Sequence, residues 1–207
     1  DIDDENLMQK IAFENNLSET AFINTNQDTY YIRWFSPIKE VDLCGHATLA
    51  SAYIYFNYIN KDEDKVSFMS ASGELSVRKT DDLYELDFPK DNLKKIDMTD
   101  QVEDCIGVKP IETFIGDINL FALLDNEETL KTLKPNFSKL INLEGQGLIV
   151  SSQSNEYDFV SRYFCPKFGI NEDPVTGSAH TTLIPYWADK LNSSEMIAKQ
   201  VSERGGV

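Results

Sequence analysis

Basic residues are scarce in this chain of 207 residues: 19 Lys and Arg stand against 35 Asp and Glu, for a formal net charge of -16. So acidic a surface repels phosphates, which excludes nucleic acid as a partner class. Long apolar runs are also missing. The most apolar stretch, Ala47 to Ile59, is interrupted by Thr48, Ser51 and Asn57 and is too short to cross a bilayer, so no membrane partner is expected. The first residues, Asp1-Ile2-Asp3-Asp4-Glu5, are acidic where a secretory leader would be basic and then apolar, and a cytoplasmic location follows as the expectation. Cysteine is sparse. Cys44, Cys105 and Cys165 are odd in number and widely spaced, so neither a disulfide framework nor a zinc cluster follows, and reduced thiols are the simplest reading. Histidine occurs twice, at positions 46 and 180.

What is present is globular: 41% hydrophobic and 11% aromatic residues can bury a core as one large or two small domains. Arg33-Trp34-Phe35-Ser36-Pro37, a short acidic stretch and Gly45-His46-Ala47-Thr48-Leu49 form one pattern. Arg162-Tyr163-Phe164-Cys165-Pro166, another acidic stretch and Gly177-Ser178-Ala179-His180-Thr181 repeat it. A spacing of roughly 130 residues points to a duplicated domain rather than a short-period solenoid. A two-fold duplication usually places one site in the cleft between the halves, each half contributing a helix N-terminus. Both histidines fall within these openings. The plain alternative is that each is a polar filler bonding free backbone groups at a helix start.

Residues 5 to 15 carry Leu7, Met8, Ile11, Ala12 and Asn15 on one face at helical spacing, followed by a turn and strands at 21–24 and 30–35. The helix predicted over 45–58 is apolar on nearly every face, as expected of one buried on all sides and wrapped by a curved sheet. Strands at 66–69, 74–78 and 83–88 follow at hairpin spacing. The charged stretch Pro89 to Asp97 separates an N-terminal half, 1–92, from a C-terminal half, 93–207. In the second half we expect helices at 99–106, 127–133, 137–141 and 177–191, with strands at 111–115, 119–124, 147–151 and 157–164 and a final strand near Ile197.

Several residues can carry chemistry. Backbone N–H groups at Gly45-His46 and at Gly177-Ser178 open helices and are available to an anion such as a carboxylate. Asp173, in the acidic loop before the second opening, is by pattern alone a loop carboxylate or an N-terminal cap. Glu19 sits in a turn between helix and strand. A Glu in a Ser-Glu-Thr turn is usually solvated, but burial facing a cleft would raise its pKa and fit it for general acid/base work near neutrality.

Three segments bear on these candidates: Met8 to Phe22, Asp42 to Ala50 and Glu172 to His180. In that order and spacing they resemble the phenazine-biosynthesis PhzF family over almost the whole chain. The resemblance implies an α/β (α+β) fold of the diaminopimelate epimerase-like type: two pseudo-symmetric halves, each a curved sheet or barrel around a central buried helix, with the active site between them. It implies a cofactor-independent and metal-free isomerase or epimerase that moves a proton at carbon of a small carboxylic acid. Matched by position, Glu19 is the principal acid/base carboxylate. His46, Asp173 and Ser178 line the same pocket, and Gly45 and Gly177 hold the substrate through the two helix openings. Family members are often homodimers, and a biosynthetic setting is in keeping with the resemblance.

Two departures from the family leave other readings open. Related two-thiol racemases place a cysteine at each helix opening; Cys44 precedes Gly45-His46, but Asp173-Pro174 stands at the second place and Cys165 lies too far upstream. Cys44 is therefore expected as a buried small residue. The family's opening hairpin and closing strands are also absent from the sequence, as expected of a fragment of a longer product or of a truncated paralogue. A truncated paralogue would expose sheet edges and could survive as a catalytically silent carboxylate-binding protein.

Overall fold

The computed structural model describes residues 4–25 and 29–207; the acidic Asp1 to Asp3 lie outside that range. The chain divides into two compact units, one ending at Pro89 and one spanning Lys90–Val207.

In the first unit, helix α1 (Glu5–Asn15) begins where the Asp4 side chain accepts the N–H groups of Asn6 and Leu7, two of the four donors a helix start leaves unpaired. It stops at Asn16, whose left-handed φ of 49° an asparagine tolerates. Met8 and Ala12, one turn apart, pack with Phe22 and Phe35. The helical face is narrower than the sequence pattern, because Leu7 and Asn15 are exposed.

The first sheet comprises β1 (Thr20–Asn24), β2 (Tyr30–Phe35), β3 (Glu40–Val41), β4 (Lys65–Ser70), β5 (Gly73–Thr80) and β6 (Leu83–Asp87), ordered β1-β2-β4-β5-β6 with β3 beside β2. Only β2 and β4 run parallel, and the crossover that a parallel pair requires carries helix α2 (Gly45–Ile54). Alternation sorts the side chains. Ile32, Trp34, Val66, Phe68, Leu75 and Val77 share a cluster with Ala47, Ala52, Tyr55 and Phe56, whereas Phe35 turns to α1 on the other face. The expectation that the helix over 45–58 is buried on all sides needs correcting here. Helix α2 ends at Ile54 in a π-helical turn, Tyr55–Ile59, and burial follows one side only: Tyr53, Ile54 and Tyr58 are exposed. An all-round apolar composition hides which face docks, since the buried face consists of the small residues Gly45, Ala47, Thr48, Ser51 and Ala52, of which Ala47 and Ala52 join the sheet's cluster.

The second unit is a sheet covered on both faces. Its strands are β7 (Lys94–Ile96), β8 (Glu112–Ile115), β9 (Leu120–Leu123), β10 (Leu148–Gln153), β11 (Phe159–Cys165), β12 (Ile170–Asp173) and β13 (Ala198–Gln200). They are ordered β12-β11-β10-β9-β8-β7, with β13 beside β11. Leu120, Ala122, Leu148, Val150, Val160 and Phe164 face helices α3 (Thr99–Ile106), α4 (Glu127–Lys131) and α5 (Phe137–Leu140). Their neighbours Phe121, Ile149, Phe159 and Tyr163 face helix α6 (His180–Leu191) through Leu183 and Trp187. Because both faces are covered, β11 is buried from end to end. Strands β7 and β12 were expected as charged linker and loop. Both are short and carry no alternation of their own, and their ladders come from β8 and β11.

Helix α6 absorbs a proline at position 185. Proline has no N–H, which frees the carbonyl four residues back, and Thr181 O instead accepts the N–H of Asp91 at 3.2 Å. The Asp91 carboxylate takes the Thr182 hydroxyl at 2.5 Å and the N–H of Asp117 at 2.8 Å. The start of the second unit is thereby tied to its principal helix.

Candidate active site

The two Arg-aromatic-Phe motifs fold alike. Arg33 in β2 donates two 2.7 Å hydrogen bonds to both oxygens of Glu40 in β3, with its guanidinium 5.1 Å from the Phe35 ring. Arg162 in β11 makes the same fork with Glu172 in β12, two bonds of 2.7 Å, and lies 4.9 Å from the Phe164 ring. Paired oxygens matched to the planar guanidinium hold each hairpin against its strand. Each such hairpin leads into one of the helix openings singled out from sequence.

In the first unit the opening gathers four side chains. Glu19 ends the turn before β1, and His46 is the second residue of α2. Glu19 Oε2 lies 3.2 Å from His46 Nε2, with the Glu19 side chain 20% and the His46 side chain 50% exposed. Ser18 Oγ is 3.5 Å from the same ring nitrogen, and Cys44 Sγ is 3.8 Å from Nδ1. Cys44 is the N-cap of α2 and provides no side-chain cap, so the helix opens at Gly45 without one. Its carbonyl accepts the Thr48 hydroxyl at 2.6 Å.

The electrostatics differ from the expectation of a raised Glu19 pKa. Burial does push it upward and is the largest single influence, but His46, Ser18 and Cys44 together outweigh it and leave the carboxyl below its ordinary value of 4.5. Turn residues that merely look polar in sequence are here the groups that stabilise the anion. At neutral pH Glu19 is therefore ionised, the form that accepts a proton.

In the second unit Asp173 closes β12, and one of its carboxylate oxygens accepts the Thr176 hydroxyl. Gly177–Ala179 form a 3-10 turn with no side-chain cap, and α6 continues from His180. The expected single helix from Gly177 is thus a tighter first turn followed by α6. Ser178 is partly exposed, and its carbonyl takes the Thr181 hydroxyl at 2.9 Å. His180 bonds the Thr176 carbonyl at 3.3 Å through Nδ1, and its pKa is lowered because burial outweighs that bond.

Three participants were not singled out as site residues from sequence. Ser18 and Cys44 are chain neighbours of Glu19 and of Gly45-His46, so adjacency was the available signal. Gln200 had none. Its amide accepts the Thr176 N–H at 2.7 Å and donates to the Asp173 carbonyl at 2.5 Å, closing the loop from a strand distant in sequence.

Among the described residues, Glu19, Cys44 and His46 are the one group of three or more His, Cys, Asp or Glu whose donor atoms all lie within 4.8 Å of one another. Cys105 and Cys165 are buried elsewhere, and burial raises the Cys105 pKa. The second opening, Thr176 to Ala179, carries no thiol. No helix among the described residues is long and apolar enough to cross a membrane.

A family model described as phenazine biosynthesis-like protein, PhzC-PhzF, matches residues 1–206. The chain belongs to the PhzC-PhzF family. A crystal structure of a PhzF-family protein from Enterococcus faecalis is 48% identical and superposes with a TM-score of 0.91 over 100% of this chain and 79% of that one. The mixed α+β architecture with two sheets is accordingly that of PhzF-family structures. A Pseudomonas aeruginosa protein named an uncharacterized isomerase is 44% identical over 200 residues, 97% of this chain and 77% of the relative. One of the same description from Halalkalibacterium halodurans is 47% identical over 204 residues, again 97% and 77%. A human phenazine biosynthesis-like domain-containing protein is 41% identical over 231 aligned positions.

Proposed function

We propose that this PhzF-family chain is an isomerase or epimerase that moves a proton at carbon of a small carboxylic acid without a cofactor. The observation that carries the reading is the Glu19–His46 pair at the opening of α2: an ionised carboxylate, 20% exposed, with an imidazole nitrogen 3.2 Å away. The names of two relatives as isomerases support the reaction class.

Glu19, held in its anionic form, takes the proton from carbon. His46, 3.2 Å from the Glu19 carboxylate, can pass it on. The negative charge that develops on the substrate needs donors, and the backbone N–H groups at the helix openings Gly45-His46 and Gly177-Ser178 are of the right kind. Asp173 and Ser178 orient the substrate in this scheme. Cys44, buried beside the imidazole, tunes the pair and is not a base.

The test is deuterium wash-in. The protein is incubated in heavy water with a panel of amino and cyclic hydroxy acids, including a dihydro-hydroxyanthranilate, beside a Glu19→Gln control. Mass gain that disappears in the variant is the expected result. Full incorporation by a folded Glu19→Gln protein would remove Glu19 from the mechanism, and carboxylate binding without incorporation would point to a silent binding protein.

A further inference from the structure

Glu19 Oε2 is sealed from solvent and lies 3.2 Å from His46 Nε2. A separation of this size matches the edge of a metal tetrahedron, because Zn–N and Zn–O bonds of about 2.0 Å place the ligand atoms roughly 3.3 Å apart. The third donor is close. Cys44 Sγ lies 3.8 Å from Nδ1, the other nitrogen of that ring, and one donor atom from each of the three residues falls within 4.8 Å of the others, close enough for a small side-chain adjustment to bring them onto one ion.

Charge and softness favour one class of ion. A carboxylate and a thiolate together neutralise a divalent cation, while thiolate and imidazole select a borderline or soft metal over magnesium or calcium. Three protein ligands leave a fourth position open to water. The 50% exposure of the His46 side chain provides the way in.

We propose that Glu19, Cys44 and His46 form a Zn2+ site, and that Zn2+ occupying it stops proton transfer. Binding itself is independent of the function proposed above; the inhibitory consequence rests on that reading. The reason for inhibition is direct, since a Glu19 carboxylate bound to a divalent cation is a far weaker base.

The test uses the whole chain with Zn2+ alone, measured by competition against a chromogenic chelator, and with Co2+ as a spectroscopic stand-in. One equivalent bound, a thiolate-to-cobalt charge-transfer band and the intense visible absorption of tetrahedral cobalt are expected. Cys44→Ala should weaken Zn2+ binding at least tenfold, and His46→Gln, at a half-exposed position, gives the same comparison if the cysteine variant fails to fold. A weak octahedral cobalt spectrum, or a folded variant that binds Zn2+ as tightly as the parent, overturns the proposal. Deuterium incorporation that continues with Zn2+ saturating overturns the inhibitory part. Tight, Cys44-dependent binding by a protein that shows no incorporation would uphold the site and sink the proton-transfer reading instead.

Discussion

Glu19 Oε2 and His46 Nε2, brought to 3.2 Å by the turn before β1 and the first turn of α2, make the closest carboxylate–imidazole contact of the first unit's helix opening. If that contact is the acid/base pair, replacing the carboxylate with its isosteric amide removes the base and little else. Glu19→Gln should lower the exchange rate by about 100-fold or more, the usual contribution of a positioned acid/base group, with circular dichroism unchanged. Isotope exchange by mass spectrometry checks it.

The same contact has a pH signature. The Glu19 pKa is lowered below 4.5 in the folded protein, so on acidification the unfolded chain takes up the proton first. The stability this group contributes is therefore complete above pH 4.5 and is lost as pH falls through the folded value. Urea titrations from pH 6 downward should show a steeper loss in the parent than in Glu19→Gln, and equal slopes would contradict the assignment.

His180 acts in a higher window. Its folded pKa lies below the ordinary 6.5 because burial disfavours the imidazolium. The unfolded chain protonates first as pH drops under that value, so stability is full above pH 6.5 and declines as pH falls through the folded pKa. A His180→Gln variant should lack this decline. Thermal melts between pH 7.5 and 5 measure it.

The two arginine forks share geometry and differ in burial, which separates their expected energetics. Arg162 and Glu172 side chains are 11% and 20% exposed, and Arg162 also donates to the carbonyl of Leu133 at 3.0 Å. Arg162→Met leaves a largely buried carboxylate unpaired and should destabilise the protein by about 3–5 kcal/mol. Arg33 and Glu40 are 34% and 33% exposed, and Arg33→Met should cost no more than about 1 kcal/mol. Chemical denaturation of the two variants compares them directly.

Gln200→Ala strips the Thr176 N–H of its acceptor and the Asp173 carbonyl of its donor. Leaving buried polar groups without partners should cost about 1–3 kcal/mol. Because the same loop carries Asp173 toward Gly177 and Ser178, turnover should fall further than stability alone accounts for. Denaturation midpoints and exchange rates measured on the same variant separate the two effects.

Much of this architecture is legible in the residues. Helix α1, the strands Tyr30–Phe35 and Gly73–Thr80 and helix Thr99–Ile106 follow from periodicity, because each satisfies its own hydrogen bonds or sends alternate side chains to opposite faces. The Arg-aromatic-Phe motifs and the glycine openings were visible as well, since they are written in adjacent letters. Strands β7 and β12 were not, because their order is borrowed from the strands beside them.

By itself the sequence determined the family, most of the helices and strands and the identity of Glu19, His46, Asp173 and Ser178 as candidates. Tertiary structure alone decided that Ser18 and Cys44 surround the Glu19–His46 pair, that Glu19 is held anionic rather than pushed toward neutrality, that α2 buries only its small-residue face, and that Gln200 closes the Asp173 loop. The physical reason is common to all four. Local pattern records what a residue can offer, whereas burial, charge balance and hydrogen-bond partnership depend on which distant groups the fold brings within a few ångströms.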